Sequence, residues 1–158
     1  QAYLERHDRV GLVVLGGELT WLRPDIGGRQ FYRVIEQVLG ARHAHAADRP
    51  ALSGVPAAAL PPGALAMVFS PLLDSRAIDA VHALRACGVT PVVIDVRTCE
   101  PSPEPGIANA DLAARLWRVE HRLDLRGFRR SGIPVVGWDG TESLDVAFSK
   151  LPNRMRSA

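Results

Sequence analysis

Four segments of this chain are apolar almost without a break over the length of a β-strand: residues 9–15, 64–69, 89–96 and 133–136. Arg9-Val-Gly-Leu-Val-Val-Leu15 and Ala64-Leu-Ala-Met-Val-Phe69 do not alternate with polar residues. A strand with one wet face alternates; an unbroken run is buried on both faces, the habit of parallel sheets clothed by helices. Helical spacing fills the gaps. After Gly27-Gly28, the residues Phe31, Ile35, Val38 and Leu39 share one face, and Gly40 suits a position just past the helix end. Asp74 is placed to cap a helix that turns Ile78, Val81 and Leu84 inward, with Gly88 beyond it. A long helix starting near Asn109 carries the apolar stripe Leu112, Leu116, Val119 and Leu123. Asp139 and Glu142 have capping-box spacing before a last helix with Leu144, Phe148 and Leu151 inward.

Strands that alternate with helices imply right-handed βαβ crossovers, so the fold class expected is α/β, a doubly wound and mostly parallel sheet. Gly16-Gly17 makes a tight turn into Leu19-Thr20-Trp21-Leu22, a short strand that pairs back antiparallel and stops at Pro24. That hairpin is expected at one edge of the sheet. Residues 41–63 are the loosest part, with one or two helical turns over Val55 to Leu60, and Glu100 to Gly106 is a Pro-rich loop.

At 158 residues the chain fits one domain, 1–158. Its longest apolar runs fall far short of the ~20 residues of a membrane helix. The net charge is +2, and 18 of the 19 basic residues are Arg. With 21 Ala, that bias looks like GC-rich coding, and a charge so near zero makes no general case for nucleic acid. Cys87 and Cys99 are too few for a disulfide framework and read as free thiols in a reducing, cytoplasmic compartment. The opening Gln1-Ala2-Tyr3-Leu4 has no Met and reads as the inside of a helix, so a fragment of a longer protein is expected.

The order of several motifs resembles a known family. Asp8-Arg-Val-Gly-Leu-Val-Val-Leu-Gly16, Trp21-Leu-Arg-Pro24 and Gly27-Gly-Arg29 are followed by Phe69-Ser-Pro-Leu-Leu-Asp74, Val92-Val-Ile-Asp95 and Ile133-Pro-Val-Val-Gly-Trp-Asp139. Together they resemble the bacterial family called "domain of unknown function 58", in its actinobacterial form, whose members are similar to von Willebrand factor A domains. The resemblance implies a Rossmann-like three-layer fold with strand order 3-2-1-4-5-6 and a metal-ion-dependent adhesion site at the carboxyl ends of strands 1 and 4. Such sites use an Asp-x-Ser-x-Ser motif, a Thr and an Asp, oxygen ligands that suit Mg²⁺. Here the first strand and its motif are expected to be missing. Beside Ser70, Pro71 stands where the metal Asp is expected, and Asp74 reads better as a helix cap. The metal site is therefore expected to be degenerate, with Mg²⁺ held only if a segment outside this chain supplies ligands. Loss of a central strand would leave two unpaired strand edges, so a homodimer or swapped assembly through those edges is expected.

Candidate chemistry is sparse. Cys99 follows the fourth strand and His121 lies on the next helix, but no family-specific flank marks a Cys–His pair, and an unreactive thiol with a surface His is the simpler reading. Ser70 follows a strand without the Gly-x-Ser-x-Gly elbow of a hydrolase serine. His43, His45 and Asp48 lack a fourth ligand nearby and read as a solvated loop. Gly11, Gly16 and Gly17 lead into a strand, not a helix, and make no phosphate loop. Arg115, Arg118, Arg122, Arg126 and Arg129 recur at three- and four-residue steps as a basic stripe, either a solvated face or a dock for an acidic protein surface or anionic headgroups. The expectation is a non-catalytic protein-binding module, with Ser70, Asp74 and these five arginines as candidate partner-binding residues. The resemblance implies the cytoplasmic part of a membrane-anchored protein that works with a MoxR-type AAA+ ATPase. The rival is a Cys- or Ser-dependent hydrolase on the same scaffold.

Overall fold

The computed structural model describes residues 2–15, 19–41, 52–73, 75–96 and 109–149. In chain order these form α1 (Ala2–Glu5), β1 (Val10–Val14), β2 (Thr20–Asp25), α2 (Gly27–Gly40), a 3-10 turn at Leu52–Gly54, β3 (Leu65–Ser70), α3 (Ser75–Ala86), β4 (Thr90–Asp95), α4 (Ala110–Arg130), β5 (Val135–Gly137) and α5 (Leu144–Ser149). The chain is α/β. Its contacts divide it into two compact units, Gln1–Ala64 with Cys87–Val89, and Leu65–Ala86 with Thr90–Ala158.

In the first unit β1 and β2 pair antiparallel, with a register shift between Val10 and Leu12. β2 does not stop at Pro24; it runs on to Asp25. Proline lacks a ladder donor and is tolerated where a bulge already breaks the ladder. Gly11 sits there because a Cβ would lie 2.9 Å from the Leu22 carbonyl oxygen and 3.0 Å from Pro24 Cγ. Helix α2 packs on this hairpin through Gln30, which is 1% exposed. Its Nε2 donates to the carbonyls of Val10 (2.7 Å) and Arg23 (3.0 Å), and its Oε1 accepts from Arg33 (3.3 Å). The face expected inward turns out differently: Ile35, Val38 and Leu39 are exposed, because the Gln30 bonds set the helix rotation one step away from them.

The second unit holds the parallel sheet β3-β4-β5. Met67 stands beside Val92, Val68 beside Val93, and Val93 beside Val135. From Pro91 to Asp95 every residue of β4 is buried, as befits a central strand. Alternation along it feeds two cores. On one face Val93 packs with Leu72, Val81, Phe128 and Ile133, beneath α3 and α4. On the other face Val92 and Ile94 pack with Val136 and Ala147, beneath α5. Val81 and Leu84 of α3 are buried as their spacing predicts. Gly88 (φ +78°) follows that helix. Helix α4 ends at Gly132 (φ +74°), where the Ile133 N–H donates back to the Phe128 carbonyl at 2.8 Å, a closure that favours glycine in the left-handed region.

Other differences from the sequence expectation have local causes. The hairpin is a two-stranded sheet of its own and does not continue the parallel sheet, since among the described strands β1 and β2 pair only with each other. Asp139 and Glu142 do not open the last helix, which starts at Leu144; the Asp139 Oδ1 accepts from the Thr141 N–H (2.9 Å) and hydroxyl (2.6 Å) in the turn before it. The Glu142 carbonyl instead accepts from Trp138 Nε1 at 2.8 Å. Around Val55 to Leu60 the described helical turn comes earlier, at Leu52–Gly54, and a tight turn follows in which Ala59 N–H donates to Pro56. No described helix is long and apolar enough to cross a membrane.

Candidate functional site

Asp95 is the last residue of β4 and points, by alternation with Val93, to the side of α3 and α4. A carboxylate 4% exposed at the end of a central strand needs a hydrogen-bond partner. His121 supplies it. The ring, 3% exposed, places Nε2 3.1 Å from Asp95 Oδ2, so His121 is not the surface residue that the sequence suggested. The indole of Trp117, one helical turn earlier, stacks on the imidazole with centroids 5.3 Å apart and planes 11° from parallel. Since the carboxylate accepts, the ring donates from Nε2. Nδ1 is buried and has no hydrogen-bond partner among the described residues.

This pairing fixes the rotation of α4. The residues turned toward the sheet are Ala114, His121 and Phe128, all buried, with Trp117 and Leu125 partly so. At 100° per residue, that line lies opposite the one through Leu112, Leu116, Val119 and Leu123. The aliphatic stripe therefore faces outward, with exposures of 64, 57, 45 and 56%. Turning the helix to bury those leucines would cost a buried carboxylate its bond from His121.

Between α3 and α4 lies a cleft of about 310 Å³. Leu72, Leu73 and Ile78 make its apolar wall, and the rings of Trp117 and His121 form part of the opposite one. Among the described residues its polar groups besides His121 are Ser75, Glu120 and Asp124, and none of those that line it is a lysine or an arginine. The cleft lies on the carboxyl-edge side of the parallel strands, since Leu72 and Leu73 follow β3 and His121 binds the end of β4. Open α/β sheets hold ligands on that side.

Ser70 ends β3 half-buried, with its hydroxyl accepting from the Leu72 N–H at 3.1 Å, a turn role. Pro71 beside it is exposed. Asp74, Cys99, His43, His45 and Asp48 lie outside the described residues. Cys87 is a free, exposed thiol. Of the five arginines, Arg115, Arg122, Arg126 and Arg129 are exposed. Arg118 is half-buried on the flank, and its carbonyl accepts from Arg122 Nε at 3.1 Å. The exposed four run along one side of the aliphatic stripe. Among the described residues no group of three or more His, Cys, Asp or Glu is placed to hold a metal ion. The Asp95–His121 pair is not among the sequence expectations, although two signals point to it: strand alternation aligns Asp95 with Val93, and seven-residue steps align His121 with Ala114 and Phe128. Comparison with protein-family models, with curated proteins and with solved structures finds no match.

Proposed function

We propose that the chain is a non-catalytic binding module that docks an acidic, partly apolar protein surface on the outward face of α4. The observation that carries this reading is the exposed line Leu112, Leu116, Val119 and Leu123 flanked by Arg115, Arg122, Arg126 and Arg129. Four half-exposed aliphatic side chains offer roughly 3–6 kcal/mol on full burial. Association alone costs about 4–15 kcal/mol, so the stripe does not hold a partner unaided. The arginines must contribute, and they select carboxylates. Like charges at three- and four-residue steps also weaken an isolated helix, a strain that an acidic partner relieves. The motif resemblance to von Willebrand factor A-like modules supports a single cytoplasmic recognition domain with a degenerate metal site. It also names a class of partner, a MoxR-type AAA+ ATPase serving a membrane-anchored parent.

Two synthetic helices of one Leu pattern, one bearing Glu and the other Lys on its flanks, test the docking face by fluorescence anisotropy. The Glu helix is expected to bind and to weaken with added salt, and the Lys helix to stay free. Leu116→Asp with Leu123→Asp, or Arg115→Glu with Arg122→Glu, is expected to abolish binding. Equal binding of both helices, or binding indifferent to these substitutions, overturns the reading.

A further inference from the structure

We infer that the outward face of α4 is a self-association surface, on which a second copy of this chain packs its own α4 in parallel. This names one partner for the docking face described above and rests on that reading. Leu112, Leu116, Val119 and Leu123 follow one another at steps of four, three and four residues, the seven-residue repeat of a two-stranded coiled coil. Ala114, His121 and Phe128, seven residues apart and buried, hold the opposite side of the same helix against its own sheet. The seam is thus presented outward by a helix that is already folded, so pairing carries no cost of helix nucleation.

The two flanks of the seam decide which way the copy lies. On one side, just before Leu116 and Leu123, stand Arg115 and Arg122; on the other, just after Leu112 and Val119, stand Ala113 and Glu120. All four are exposed. In a parallel pair the arginine flank of each helix meets the opposite flank of its copy, five residues further on. Arg115 then meets Glu120 of the copy, twice by symmetry, and Arg122 meets the uncharged Gly127. An antiparallel pair sets like flank on like flank, with Arg115 beside Arg122 of the copy. Charge complementarity therefore selects the parallel arrangement. The seam is short, because its next position is Arg126, which in a parallel pair stands beside its own copy and ends the apolar contact. From Leu112 to Leu123 the helix rises only about 17 Å. A contact of this size is weak, with a dissociation constant of about 0.01–1 mM, and a protein with carboxylates along its whole flank displaces it.

Sedimentation equilibrium of the whole chain, under reducing conditions and at low salt, tests the pairing. Across about 0.01–1 mM the mass is expected to rise from one copy toward two. Arg115→Glu and Glu120→Arg are each expected to weaken the dimer at least about tenfold, and the two together to bring it back to within about threefold of the unaltered chain. An antiparallel pair would instead tighten with Arg115→Glu, since that change separates two arginines. A single mass throughout, a dimer indifferent to both single changes, one tightened by Arg115→Glu, or no recovery in the double variant overturns the proposal. The first of these outcomes is read on the unaltered protein and does not depend on any variant folding. A chain that stays monomeric and still binds the Glu-flanked helix refutes the self-pairing alone; a chain that does neither refutes the docking face as well.

Discussion

Replacing His121 by Phe separates its hydrogen bond from the packing around it. Phenylalanine keeps a ring against Trp117, now 5.3 Å from the imidazole, and removes the Nε2 donor 3.1 Å from Asp95 Oδ2. The carboxylate is then left 4% exposed and one charge-assisted bond short. Leaving a buried charge wholly without a partner costs about 3–5 kcal/mol, and one hydrogen bond to a charged group is worth about 1.5–3 kcal/mol. Asp95 has a further interaction besides His121, so it is not stranded and the lower figure governs. His121→Phe is expected to destabilise by about 2–3 kcal/mol. Asp95→Asn removes the charge but keeps an oxygen for Nε2, so in the Phe background it should recover about 1–2 kcal/mol relative to additivity. Urea denaturation of the two single variants and the double variant measures this coupling. A His121→Phe loss under about 0.5 kcal/mol, or strict additivity, would refute the claim that this pair sets the rotation of α4.

Three further expectations use the same denaturation assay. Phe128→Ala should lose about 3–5 kcal/mol and Leu116→Ala under about 1 kcal/mol, and the reverse order would mean that α4 presents its other face to the sheet. Gly11→Ala should lose about 1–3 kcal/mol because its new Cβ meets the Leu22 carbonyl. Gly28→Ala, whose Cβ meets nothing within 4 Å, should be neutral or stabilise by up to about 1 kcal/mol. Gln30→Leu, leaving the Val10 and Arg23 carbonyls without their donor, should lose about 1–3 kcal/mol, and Gln30→Glu should lose more, since a carboxylate donates nothing to a carbonyl.

The three parallel strands were legible because an unbroken apolar run leaves few options; the place of the hairpin was not, since it forms a sheet of its own. Leu65–Ser70 and Thr90–Asp95 fall within one residue of the positions that their side chains suggest, and Val135–Gly137 begins two residues later than its apolar segment. Helices were legible as helices, but not always by face. On α4 periodicity points to the more aliphatic line as the buried one, and the structure buries Ala114, His121 and Phe128, with Trp117 partly so. On α2 the residue that anchors the helix is a glutamine. In both cases a polar bond over a long sequence separation, 26 residues for Asp95–His121 and 20 for Gln30–Val10, outweighs a hydrophobic count. Periodicity within one segment carries no information about a partner that far along the chain. The same limit hid the cleft, whose wall joins Leu72 to residues on α4.

Among the described strands β4 alone has a hydrogen-bonded neighbour on each side and a core on each face. Its amides, apart from the position of Pro91, are therefore held until the whole unit opens, whereas those of α2 with its exposed Val38 and Leu39 have less to hold them. Proton exchange with solvent should be slowest from Val92 to Asp95. The carboxylate that organises the site is thus carried on the part of the chain that breathes least, and the donor it holds in place can keep its position while the outer helices fray.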